Sequence, residues 1–240
     1  MNTSRTAAAL AGVLFIIGTA SGILSVLVSG PVWNAPDYLL RLSANENLVN
    51  LGIMLQFIMA IACAGISVAL YPIVKKYSES LAIGAVGFRL AENVLQILYA
   101  VGMVALLALS RELVRTGTPA AYQGAAEIIK AASDWMIHGA ALICFSVGAA
   151  MYYIVFYQNR LIPRWLSGWG LVSVTLVTIA SVLVMSGVIP GFGTMQVIAN
   201  LSTLLQEMVF AVWLIAKGVN PSAVAALSAK TATTELLSAS

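Results

Sequence analysis

The chain has 240 residues, of which 60% are hydrophobic and only 9% are charged, and its formal charge is +3. Soluble domains carry about 25% charged residues, so the composition excludes a water-soluble protein and indicates an integral membrane protein. The basic residues are few and scattered, which excludes a nucleic-acid-binding surface. The partner that the composition predicts is therefore the lipid bilayer.

Six apolar segments are long enough to cross a bilayer core, which takes about 20 helical residues. We interpret the first as a membrane helix rather than a cleaved leader, because it is longer than the apolar part of a signal peptide. The predicted fold is all-α, a polytopic six-helix transmembrane bundle. It forms one domain over residues 1–220, followed by a flexible Ala/Ser/Thr-rich tail at 221–240. The segments are 7–29, 48–74, 81–109, 134–157, 165–188 and 192–216.

The connecting segments predict one further helix and an orientation. The 110–133 loop is broken at Pro119 and then has helix-forming composition, so we expect a short interfacial helix there. With the N-terminus inside, the inner segments hold seven lysines and arginines and the outer segments hold four. The positive-inside rule then predicts a multi-pass protein of a cell membrane, taken to be the bacterial inner membrane, with both termini cytoplasmic.

Polar side chains inside the predicted spans share single helix faces. Because an ionisable residue at a helix centre costs about 3 kcal/mol on insertion, such faces normally point into the protein. The third span carries Arg89, Glu92, Asn93 and Gln96 at i, i+3, i+4 and i+7, and the sixth carries Gln196, Asn200, Thr203 and Glu207 at i, i+4, i+7 and i+11. The fourth carries Asp134 and His138 at i and i+4, and the second carries Gln56.

The depths of these groups agree between spans. A rise of about 1.5 Å per residue places Arg89 and Glu207 within about 2 Å of the same depth. We expect Glu92, Glu207 or both to neutralise Arg89, which leaves one negative charge or one shared proton in the cluster. Asp134 and His138 are expected to form a pair at the outer face. Helices three, four and six would then line a shared interior.

Simpler interpretations exist for several of these residues. A buried polar cluster can serve only to lock helices together, and Asp134 can be the N-cap of the fourth helix. Tyr152, Tyr153 and Tyr157 fit an aromatic belt at the inner membrane surface. A single histidine excludes a multi-histidine metal or bis-haem site, and the chain has no glycine-rich phosphate loop. We therefore expect no metal and no cofactor.

The sequence resembles an uncharacterised family of bacterial membrane proteins, domain of unknown function 4386. The resemblance implies a compact multi-helix membrane protein and supplies no activity. It suggests at most that Arg89, Glu92 and Glu207 belong to a shared family pattern. The landmarks that carry it, in chain order, are "RTAAALAGVLFIIG", "FRLAENVLQ", "SDWMIHGAALICFSVGAAMYYIVF", "LIPRWLSGWGLV" and "LLQEMVFAVWLIAKGV".

Three functional hypotheses follow. The first is a membrane-embedded isomerase, cyclase or hydrolase for a small lipidic or isoprenoid-like substrate, with Glu92 or Glu207 as acid or base and Arg89 tuning its proton affinity. The second is a proton-coupled transporter or small-molecule-binding protein, and the third a structural or partner-binding protein without a ligand. A small hydrophobic ligand between the third, fourth and sixth spans would contact Gln56, Asn93, Gln96, Asp134, His138 and Asn200. The bundle would allow a homodimer, but no motif requires one.

Overall fold

The structure, a computed structural model, describes residues 3–117 and 119–223, and this part of the chain is helical without strands. Six helical stretches are long and apolar enough to span a membrane, which confirms the predicted all-α transmembrane architecture. Most of the predicted 221–240 tail lies outside the described residues. The helices are α1 (Thr3–Trp33), α2 (Tyr38–Ala44), α3 (Glu46–Val74), α4 (Glu79–Thr116), α5 (Pro119–Trp135), α6 (Ala141–Gln158), α7 (Arg164–Met185) and α8 (Thr194–Ala216), with a π-helical turn, Met136–Ala140, between α5 and α6.

The third span is longer than its apolar segment. The Ser78 hydroxyl caps the start of α4 by accepting a hydrogen bond from the Leu81 N–H at 3.3 Å. The helix ends at Gly117, whose φ of +67° is favourable for glycine. Its last two turns carry ion pairs between Arg111 and Glu46 and between Arg115 and Glu112. Hydropathy marks where a helix leaves the membrane rather than where it ends, so α4 extends past residue 109.

The interfacial helix expected in the 110–133 loop is present as α5, but it does not end before the fourth span. It continues through the π-helical turn into α6, giving an apolar helical stretch from Tyr122 to Gln158. The interpretation of Asp134 as an N-cap is therefore wrong, because this residue lies inside a helix. Isolated π-turns are frequent at functional sites, and this one contains His138.

The six spans form a closed ring. Each packs against its neighbours in the order α1, α3, α4, α6, α7 and α8, and α8 packs back onto α1. Small residues allow close approach of the helices. A β-carbon on Gly12 would lie 2.7 Å from the Ala211 carbonyl oxygen, at the contact that closes the ring. The ring leaves α4 and α8 facing each other across the interior.

One end of this interior is filled by an aromatic cluster, which we define as Phe15, Tyr152, Tyr153, Phe156 and Phe210. All five side chains are at most 1% exposed, and the Phe210 ring centroid lies 5.4 Å from that of Phe15 and 5.6 Å from that of Tyr153. The assignment of Tyr152 and Tyr153 to an interfacial belt is therefore wrong, whereas Tyr157 is 41% exposed. The buried rings close the bundle toward the ends of α6 and α8.

Candidate functional site

A cavity of about 480 Å³ occupies the interior beyond the aromatic cluster. Arg89, Glu92 and Glu207 line its deep end, and Asp134 and His138 line the other end. Its size is within the range of small-molecule sites. The groups that the sequence placed at matching depths thus share one cavity.

The buried arginine is neutralised by its own helix. The Arg89 Nη1 atom lies 2.9 Å from Oε2 of Glu92, and both side chains are at most 4% exposed. Oε1 of Glu92 accepts a hydrogen bond from Nε2 of Gln96 at 2.8 Å. The guanidinium carbon lies 4.9 Å from the centroid of the Phe145 ring, a cation–π contact. Together these contacts let a full positive charge lie in the membrane interior.

Several polar atoms around this ion pair lack a hydrogen bond in the described part of the chain. The 2.9 Å contact does not align as a hydrogen bond, and Nε of Arg89, Oε1 of Gln96 and Nε2 of Gln56 have no partner. Native structures leave few buried polar groups unsatisfied, and each one needs a reason. Because these atoms lie beside the cavity, they are open to a further polar partner.

Glu207 lies across the cavity from this pair. It lines the cavity from α8 and is only partly buried. Among the described residues it has no ion pair within 4.0 Å and no hydrogen bond. Arg89 therefore pairs with Glu92 and not with both carboxylates, although it remains near enough to act on Glu207 electrostatically. The carboxylate left without an ion pair among the described residues is thus Glu207.

Gln206, a residue that the sequence analysis did not select, fixes the rotation of α8 beside Glu207. Its Oε1 accepts a hydrogen bond from the Tyr153 hydroxyl at 2.7 Å, and its Nε2 donates to the Leu166 carbonyl at 3.2 Å. Gln206 and Tyr153 are at most 1% exposed. These bonds join α6, α7 and α8 and turn the next residue, Glu207, toward the cavity. The pattern of polar faces missed Gln206 because it is one residue away from the Gln196–Glu207 face.

At the cavity end lined by Asp134 and His138, these two side chains do not form the expected pair. Oδ2 of Asp134 lies 3.1 Å from Nζ of Lys130, one regular turn earlier on α5. The His138 ring instead packs edge-on against Phe192, with centroids 4.3 Å apart. The π-turn begins between Asp134 and His138 and displaces them from the spacing of a regular helix. Gln196 fixes this turn by donating to the His138 carbonyl at 2.7 Å.

The remaining predicted ligand contacts separate into two groups. Gln56 and Asn200 line the cavity, as does Thr203. Asn93 does not, because its Nδ2 donates to the Ala60 carbonyl of α3. This bond joins α3 to α4 and positions the face that carries Arg89, so Asn93 fits the interpretation as a helix lock.

The cavity wall includes residues that face outward from α1. Contacts between α1 and α8 join the first half of α1 to the end of α8, through Phe15 with Phe210 and through Arg5 with the Leu214 carbonyl. Farther along α1, Ile23, Val26 and Leu27 line the cavity although each is more than 40% exposed. The cavity is therefore open sideways, on a side that would face lipid.

A family model for a domain of unknown function, DUF4386, matches residues 10–218. The chain belongs to the DUF4386 family. The match covers α2 to α8 entirely and α1 from residue 10 onward, and it includes Arg89, Glu92 and Glu207. A search of curated proteins and a search of solved structures return no match. Membership therefore confirms the resemblance seen in the sequence of this DUF4386 protein and assigns no chemistry to its cavity.

Proposed function

We propose that the protein is a membrane-embedded enzyme in which Glu207 performs acid–base chemistry on a small lipid-like substrate. The observation that carries the proposal is the state of Glu207, a carboxylate that lines the cavity without an ion pair or hydrogen bond from the described residues. A structural carboxylate inside a membrane normally has a partner. One without a partner is free to exchange a proton with a bound molecule.

The other residues of the site take supporting roles. Arg89 acts on Glu207 through its positive charge and lowers the cost of ionising this carboxylate in a poorly polar environment. Glu92 holds Arg89 in place, and Gln96 holds Glu92. Gln56 and Asn200 are positioned to hydrogen-bond the polar end of the substrate, while Asp134 and His138 line the opposite end of the cavity from Arg89.

The cavity wall favours a substrate that comes from the bilayer. Apolar side chains from several helices line the cavity, among them Phe15, Ile66, Leu142 and Val177. The opening along α1 lies beside exposed aliphatic residues, so an apolar molecule would enter without crossing water. The unsatisfied polar atoms at the deep end would then contact its polar group.

A proton-coupled transporter or small-molecule-binding protein is the second candidate. Ionisable groups at both ends of one cavity favour it, because proton relays use such groups. The aromatic cluster argues against a continuous path, since its five buried rings close the bundle beyond Glu207. Reconstituted vesicles with an internal pH dye separate the two: proton movement that depends on the protein supports transport.

A purely structural role, the third candidate, would not need a cavity beside the polar cluster.

The enzyme proposal is tested with labelled water and a cavity-filling substitution. Membranes that contain the protein are incubated in water enriched in deuterium and oxygen-18. The lipids are then extracted, deuterium at exchangeable positions is removed by back-exchange in ordinary water, and lipid masses are measured by mass spectrometry. Acid–base chemistry at carbon leaves deuterium in the lipid, and hydrolysis leaves oxygen-18. We expect label in at least one lipid. We expect most of it to be lost in Leu204→Trp, because Leu204 lines the cavity.

Leu205→Trp is the matched control, because Leu205 is the next residue on α8 and is 50% exposed on the outer surface. It should retain the label. Equal labelling in membranes with and without the protein would contradict the proposal, as would equal loss in the two tryptophan variants.

We also propose that both termini are cytoplasmic, from the seven-to-four distribution of lysine and arginine. In a chain whose Cys63 and Cys144 are replaced by alanine, Gly124→Cys should react with an impermeant thiol reagent in intact cells. Glu79→Cys should react only after permeabilisation. A β-carbon at Gly124 meets no atom within 4 Å, and the Glu79 side chain is 62% exposed, so both sites tolerate cysteine. The reverse labelling pattern would invert the orientation.

A further inference from the structure

A second recess, of about 460 Å³, lies where α6 and α8 end and α7 begins. Arg160, Arg164 and Lys217 line it, and no aspartate or glutamate does. Within residues 3–117 and 119–223, none of these three cations has an ion pair. The Arg164 guanidinium carbon lies 5.3 Å from the centroid of the Tyr157 ring, a cation–π contact that brings no negative charge to it. The recess therefore concentrates positive charge at the end of the bundle opposite Asp134 and His138.

These cations are not needed to cap the two helices that end there. At the end of α8, Arg5 donates to the carbonyls of Leu214, Ile215 and Ala216 at 3.2, 2.7 and 3.1 Å. At the end of α6, the Leu161 N–H donates to the Phe156 carbonyl at 3.1 Å. Because other groups cap these carbonyls, the charges of Arg160 and Lys217 remain available for an anion.

The backbone at Arg160 supports this conclusion independently. Its φ is +53°, in the left-handed region where glycine is the favoured residue after a helix. An arginine is unfavourable there for backbone reasons alone. Asn220 holds the strained turn by donating from Nδ2 to the Arg160 carbonyl at 3.3 Å. An arginine, with its guanidinium at the recess, therefore occupies a position whose backbone conformation favours glycine.

The first turn of α7 adds to the positive potential. Pro163 precedes this 22-residue helix and supplies no side-chain cap, so the first N–H groups of α7 have no side-chain acceptor at the recess. A helix N-terminus carries a partial positive charge that favours anions such as phosphate. Three basic side chains and this helix end act on the same space.

We propose that this recess binds the phosphate of an anionic phospholipid headgroup. Buried Leu161 and Ile162 form the floor of the recess, and the ring of Trp213 lines it beside the cations, so it suits a molecule with a charged head and an apolar part that packs on this ring. Trp165, next to Arg164, is 57% exposed, as expected of a tryptophan at the membrane surface. The recess lies at the ends of three membrane spans, at headgroup level. The site is separate from the cavity that holds Glu207 and does not depend on the enzymatic proposal.

The test compares lipid affinity by native mass spectrometry of the purified, delipidated full chain. We expect phosphatidylglycerol to bind more tightly than phosphatidylcholine of the same acyl chains. The triple variant Arg160→Gly, Arg164→Gln, Lys217→Gln should lose this preference, with a contribution of about fivefold per cation near an anionic headgroup. Arg160→Gly alone should weaken phosphatidylglycerol binding about fivefold. It should leave the melting temperature unchanged or raised, because glycine suits a φ of +53°. This variant keeps the test valid if the triple variant does not fold.

The charge-matched control is Arg41→Gln, Arg111→Gln, Arg115→Gln, which removes three cations that are ion-paired at the other end of the bundle. It should retain the preference. The proposal is overturned if phosphatidylcholine binds as tightly as phosphatidylglycerol or if the control weakens binding equally. Competition by glycerol phosphate at the same concentration as the lipid would show a site for soluble phosphates and would also overturn it.

Discussion

Replacing Arg89 by glutamine is expected to lower the free energy of unfolding by about 3–5 kcal/mol, the usual effect of removing one partner from a buried ion pair. The Arg89 side chain is 1% exposed, and its Nη1 lies 2.9 Å from Oε2 of Glu92. Without the guanidinium, Glu92 and Glu207 share one cavity with no cation between them. One carboxylate must then take up a proton. Thermal or denaturant unfolding in detergent measures the loss.

A double-mutant cycle identifies the partner. Adding Glu92→Gln to Arg89→Gln should recover part of the lost stability, because the uncompensated carboxylate is removed with its cation. Adding Glu207→Gln should recover less, since Glu207 has no ion pair with Arg89 within 4.0 Å. The control is Arg115 with Glu112, an exposed pair of the same i, i+3 spacing that should couple by at most about 1 kcal/mol. Strictly additive effects for Arg89 and Glu92 would contradict the assignment of this pair.

The fold followed from the sequence because bilayer thickness dictates the length of each apolar segment. Residues 165–188 and 192–216 lie close to α7 and α8 for this reason. The sequence did not predict that α5 continues through the π-turn into α6. Hydropathy detects only the apolar part of this helical stretch, and the stretch begins before that part. Tyr152 and Tyr153 were misplaced for a related reason. A tyrosine near the end of a span is predicted to lie at the membrane surface. Tyr153 is buried instead, and its hydroxyl donates a hydrogen bond to Gln206 of another helix.

For the candidate site, the sequence predicted which helix faces carry the polar side chains and how deep in the bundle these side chains lie. Helical spacing and rise placed Arg89, Glu92 and Glu207 around one interior, and all three line the cavity. Which carboxylate pairs with Arg89 depends on rotamers and on the distance between α4 and α8, which spacing along one helix does not contain. The His138–Asp134 pair failed because a π-turn changes the periodicity on which the prediction relied.

Glu207→Gln is expected to abolish lipid labelling while lowering stability by less than about 1 kcal/mol. The amide keeps the shape of the side chain but neither takes up nor delivers a proton, and loss of a general acid or base typically costs about 10²–10⁴-fold in rate. Stability should change little because the change breaks no ion pair or hydrogen bond of Glu207 among the described residues.

Glu92→Gln, in contrast, leaves Arg89 without its ion-pair partner and should destabilise more than Glu207→Gln. Lipid labelling and unfolding in detergent are therefore measured on both variants. Glu207→Asp, which retains the acid on a shorter side chain, should restore part of the labelling. A fully active Glu207→Gln protein would remove this residue from the chemistry, and a strongly unstable one would show that Glu207 has a structural partner.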